Sequence, residues 1–121
     1  MKNRFRLISV LLFLSWAHFS HASFEITEIM YDLDGTDTGR EWVEVHNIGT
    51  ASSDLSKWYL FSDNTKHALA PQGASNVEAG SYAVITQDAA KFKIDWPNYS
   101  GLLFDSSWTG FNNDGETIAL K

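Results

Sequence analysis

The sequence predicts an all-β protein, an antiparallel β-sandwich, and three observations carry that prediction. Apolar and polar residues alternate with period two in several short segments, and no stretch sustains a 3.6-residue period. Turn-forming residues recur roughly every 8 to 12 positions, the spacing of a sheet protein built from short strands.

Taken in order, Phe24 to Tyr31 reads as a strand whose apolar phase slips near Thr27-Glu28, as a bulge makes it. Glu41 to His46 alternates cleanly, with Val43 and Val45 on one side and Trp42, Glu44 and His46 on the other. Leu55 to Phe61 reads as a third strand, followed by a turn at Ser62-Asp63-Asn64-Thr65 and a hairpin partner over Lys66 to Leu69. Pro71-Gln72-Gly73 and Ala79-Gly80 punctuate a loop before a strand at Ser81 to Thr86. Asp88 caps a single short helical turn through Phe92. Gly101 to Phe104 is a short apolar piece, and Asn113-Asp114-Gly115 is a tight turn leading into Thr117 to Leu120. Asn47-Ile48-Gly49 also reads as a turn in which Gly or Asn takes a positive φ. The last residues look like the start of an edge strand that a sandwich would cover. The sequence is therefore expected to be the N-terminal piece of something longer.

The first residues have a different character. Lys2, Arg4 and Arg6 form a positive head, Leu7 to Phe19 is an apolar run without charge, and Ser20-His21-Ala22 offers small residues for cleavage before Ser23. Residues 1–22 thus read as a cleavable signal peptide and 23–121 as the working domain. The alternative, a membrane anchor, needs about 20 apolar residues, and Ser15, Trp16, His18 and Ser20 dilute this run. Secretion to the cell surface or beyond follows, with no membrane contact after cleavage.

All fifteen acidic residues lie after position 22, where only six of the nine basic ones do, leaving that part nine charges negative. Such a surface repels phosphate, so nucleic acid is not an expected partner. There is no cysteine, which removes disulfides and thiol nucleophiles, so a packed core must hold the fold.

Five segments then carry a resemblance. Ile26-Thr27-Glu28-Ile29-Met30-Tyr31, Gly39-Arg40-Glu41-Trp42-Val43-Glu44-Val45-His46-Asn47 and Asp54-Leu55-Ser56-Lys57-Trp58-Tyr59-Leu60 resemble, in order and spacing, the lamin tail domain. Ala79-Gly80-Ser81-Tyr82-Ala83-Val84-Ile85 and Phe111-Asn112-Asn113-Asp114-Gly115-Glu116-Thr117-Ile118 complete the match. The resemblance implies an immunoglobulin-like β-sandwich, missing its last strand or strands, that serves as an adhesive or accessory module. Bacterial members are typically exported and often sit beside secreted nucleases, phosphatases or surface domains. No heptads are present, so filament assembly does not carry over.

Two groups of residues invite chemistry. Asp32, Asp34, Asp37 and Glu41 surround Gly35 and Gly39, and supply the hard oxygen ligands calcium prefers, although the order is not that of an EF-hand. The plainer reading is a polar loop that holds no cofactor, and calcium is the one cofactor the sequence suggests. Trp42, Tyr59, Trp96, Tyr99 and Trp108, with Phe61, exceed what one core readily holds. If several share a face they would contact a sugar ring or a protein; otherwise they pack. His46 and His67 read as isolated and solvated, without metal-ligand spacing. No G-x-S-x-G or S-x-x-K is present, and Glu44 reads as the wet side of a strand. No catalytic residue is therefore assigned. The expectation is a secreted, non-enzymatic module contacting a protein or cell-surface polymer. Its rivals are a carbohydrate-binding module and the accessory N-terminal domain of a larger exported hydrolase.

Overall fold

The computed structural model describes residues 21–121. The leader assigned to residues 1–22 thus lies, apart from its last two positions, outside the described residues. In chain order the first elements are β1 (Phe24–Met30), β2 (Trp42–Asn47), β3 (Ser53–Asp54), β4 (Tyr59–Ser62) and β5 (Thr65–Ala68). They are followed by β6 (Ala70–Pro71), β7 (Asn76–Val77), β8 (Tyr82–Thr86), helix α1 (Ala89–Asp95), β9 (Leu102–Asp105) and β10 (Ile118–Leu120).

The strands form a five-stranded sheet in the order β1-β2-β8-β9-β6, a three-stranded sheet β10-β4-β5 and a two-stranded ribbon β3-β7. The expected bulge is present, since the β1–β2 register shifts between Ile26 and Glu28. Asp63 and Asn64 carry the turn between β4 and β5 with φ of 47° and 64°. Two consecutive left-handed residues match the right-handed twist of the strands they join.

Four local expectations are corrected. Leu55–Lys57 is a 3₁₀ turn and the strand begins at Tyr59, because the Asp54 carboxylate accepts from the Ser56 N–H and caps the turn. The helix outlasts one turn, reaching Asp95 from the Asp88 cap, which accepts from the N–H groups of Ala90 and Lys91. β8 and β9 pair in parallel rather than antiparallel. Parallel neighbours need a long crossover, and α1 supplies it. Neither Asn47 nor Gly49 has a positive φ. Asn47 is fully buried, and its side-chain amide donates to the carbonyls of Ala51 (2.8 Å) and Val77 (2.9 Å) and accepts from the Gly49 N–H (3.0 Å).

Alternation in β2 divides the interior in two. Val43 and Val45 turn toward the three-stranded sheet, joining Leu55, Leu60, Val77, Ala83, Ile85 and Phe104 in the main core. Trp42 turns the other way and packs with Val84, Leu103, Ala89 and Phe92 beneath α1. The five-stranded sheet is therefore buried on both faces at its centre, and wet on its outer face only beyond the helix.

Candidate functional site

Glu41 closes the segment that looked like a metal loop, and burial decides its role. It is 4 % exposed, and one carboxylate oxygen, Oε2, accepts from both the Trp108 indole N–H (2.9 Å) and the Phe111 backbone N–H (2.7 Å). Gln87 braces the same joint, accepting from the Glu41 N–H (3.1 Å) and donating to the Trp108 carbonyl (3.1 Å). The Trp108 and Phe111 rings stack with centroids 4.9 Å apart. Together these contacts lock the segment after β9 across the end of the sheet. Burial pushes the Glu41 carboxyl above its ordinary range, more than the two donated hydrogen bonds pull it down.

The aspartates fare differently. Asp32 and Asp34 are exposed and Asp37 half-buried, and among the described residues no three acidic or histidine side chains converge as a metal would require. A cation is nonetheless seated there, and it belongs to the chain. The Arg40 guanidinium donates to the carbonyls of Asp34 (3.2 Å) and Thr36 (2.9 Å) and pairs with Asp95 of α1 through two bonds of 2.8 and 3.1 Å. Lys91 Nζ donates to the Thr38 carbonyl over 3.0 Å. The loop is thus pinned to the helix by two basic side chains, and Glu41, the fourth proposed ligand, faces inward. Sequence reasoning missed Arg40 because its partner Asp95 lies 55 residues away.

The aromatic residues also separate. Trp108 is interior. Tyr59 lies half-buried on the three-stranded sheet, with Lys66 Nζ 3.6 Å from its ring centre. Trp42, Trp96 and Tyr99 do come together, joined by Phe92. The Trp42 ring stands at 87° to Phe92 and 90° to Trp96, with centroids 6.2 and 6.0 Å away, and Phe92 meets Tyr99 at 5.2 Å and 89°. The Tyr99 hydroxyl donates to the Leu102 carbonyl (3.0 Å). A cleft of about 280 Å³ opens among these rings and Val84, and its remaining wall is Glu28 and Glu44. His46, expected to be isolated, lies further along the same face. It stacks on Tyr82 at 4.2 Å and 7°, and Nδ1 lies 3.2 Å from the Glu25 carboxylate.

The family model described as Lamin Tail Domain matches residues 19–121. The chain belongs to the lamin tail domain family. Its fold is the immunoglobulin-like β-sandwich of that family, which is non-catalytic, and a β-sandwich interaction module is the general character of a lamin tail domain. Searches of curated proteins and of solved structures find no match to this lamin tail domain. Among its described residues no helix is long and apolar enough to cross a membrane.

Proposed function

We propose that this lamin tail domain is exported and acts outside the cytoplasm as a non-enzymatic contact module for a protein or cell-surface polymer. The observation that carries the reading is the outer face of the five-stranded sheet. There Trp96, 43 % exposed, and the half-buried Tyr99 line an open cleft with two carboxylates, backed by the buried Trp42 and Phe92 rings. Aromatic surface left open beside charge is what contact sites use, because rings desolvate at small entropic cost. Catalysis finds no comparable support. Glu41, the acid whose carboxyl burial pushes up, is a buried tether with its donors already in place. The positive head, uncharged apolar run and small residues before Ser23 support export.

The test is expression of the full chain in a bacterial host, followed by fractionation, intact mass and rebinding of the recovered protein to cells. The expected result is a product starting at Ser23 outside the cytoplasm that binds cells saturably. An uncleaved product confined to the cytoplasm, or one that binds no cell fraction, contradicts the proposal.

A further inference from the structure

Glu28 and Glu44 are direct partners across β1 and β2. Like charges opposite one another on a sheet face destabilise the pair. Among the described residues neither carboxylate has a basic partner; the ion pairs there join Arg40 to Asp95, His46 to Glu25 and Lys57 to Asp54. Among the described residues the Glu44 carboxylate receives only the neutral Thr27 hydroxyl (2.8 Å). Both carboxylates nevertheless face the aromatic cleft.

The rings beside them are arranged in a particular way. Trp42 is perpendicular to both Phe92 and Trp96, so the wall is a corner of ring faces and edges rather than a flat shelf. A sugar stacks best on a flat ring platform, which this corner does not offer. The groups beside the rings are carboxylates. A corner of electron-rich rings closed by negative charge suits a cation, which gains from ring quadrupoles and from the carboxylates together. The Trp42 indole N–H, in a side chain 94 % buried, is the one buried side-chain polar atom among the described residues without an acceptor. The chain after residue 22 is nine charges negative, which favours encounter with basic surfaces.

From this we infer that the cleft of Trp42, Phe92, Trp96, Tyr99, Glu28 and Glu44 receives a lysine or arginine side chain of a partner protein. The inference rests on the contact-module reading and names the chemistry of its partner.

The test titrates pentalysine, and pentalysine acetylated on every side chain, into the purified full chain, with binding read by calorimetry. Saturable binding of pentalysine is expected, at least tenfold weaker for the acetylated peptide. The E28Q/E44Q double variant should lose at least tenfold, and Trp96→Ala at least fivefold. D63N/D114N, which removes the same charge from exposed turns, should stay within twofold. Because E28Q/E44Q relieves a like-charge contact, it should melt no lower than the parent, so its loss of binding is not unfolding. No saturable binding, equal binding of the acetylated peptide, or equal losses in the two double variants overturns the inference. Saturable cell binding retained by E28Q/E44Q would overturn the cleft while leaving the module intact.

Discussion

The Trp108 indole donates to the Glu41 carboxylate across 2.9 Å, joining two buried residues 67 positions apart. The same oxygen accepts from the Phe111 N–H. A neutral amide with its carbonyl in that place keeps both bonds, whereas truncation orphans two donors. Glu41→Ala should therefore cost roughly 2–4 kcal/mol, the penalty for unanswered buried groups, while Glu41→Gln should fold at least as stably as the parent at neutral pH. Chemical denaturation of the two variants decides this.

The same residue sets a pH dependence. Burial raises the Glu41 carboxyl above its usual 4.5, so the folded state binds its proton more tightly than the unfolded state does. Stability from this group is complete below the unfolded value and falls as pH rises through the folded one. The melting temperature of Glu41→Gln minus that of the parent should accordingly be larger at pH 7.5 than at about pH 4.5. Asp54, held down first by its hydrogen bond to Ser56, and Asp95, held down by Arg40, act in the opposite sense. Their contribution is present above the usual 3.8 and is lost as pH falls through their lowered values. A melting-temperature difference independent of pH would contradict the assignment to Glu41.

Asn47 holds three separate pieces of chain through one buried amide. Asn47→Ala leaves the Ala51 and Val77 carbonyls and the Gly49 N–H without that partner, and should destabilise by about 3 kcal/mol. Equilibrium unfolding in urea measures the change; a loss under half a kilocalorie would mean that water replaces the amide.

Arg40 occupies the carbonyls that a metal in the acidic loop would seek. Arg40→Gln should free that loop, so that chymotrypsin cleaves faster after Tyr31 or Leu33 while the far-ultraviolet spectrum stays unchanged. Millimolar calcium should leave the melting temperature of the parent where it was. A calcium-dependent rise would show that Asp32, Asp34 and Asp37 rearrange around the ion.

Gly115 has φ of +104°, in the left-handed region, with open space around its Cα. Strain rather than collision makes Gly115→Val destabilising, by about 1–3 kcal/mol. An unchanged midpoint would mean that the turn relaxes.

The legibility of this chain follows from how local its signals are. The β2 alternation, the bulge at Thr27, the Asp63-Asn64 turn and the Asp88 cap each depend on residues within a few positions, and each was readable. The parallel pairing of β8 with β9 had a signal too, a helix between two apolar segments, but the helix read as a single turn and suggested no crossover. Leu55 read as strand because its apolar side chain fits one, while the Asp54-Ser56 contact that curls it depends on a side-chain bond. The sequence marks Trp42, Trp96 and Tyr99 as aromatic but carries no sign that they meet, whereas Tyr59 and Trp108 diverge. Phe92, Glu28 and Glu44 joined them only through sheet register and the placing of α1. Glu41 carried an acidic label that its burial reversed.

The tryptophan indole N–H signals of the ¹⁵N-labelled chain, followed by NMR during addition of pentalysine, test the central claim most directly. Trp42 and Trp96 line the cleft, while Trp58 and Trp108 donate to Ser53 and Glu41 elsewhere. The Trp42 and Trp96 signals should move and saturate together while those of Trp58 and Trp108 hold still. These four signals moving alike, with Trp16 of the leader set aside, or none of them moving, would contradict a contact face built on the outer side of the sheet.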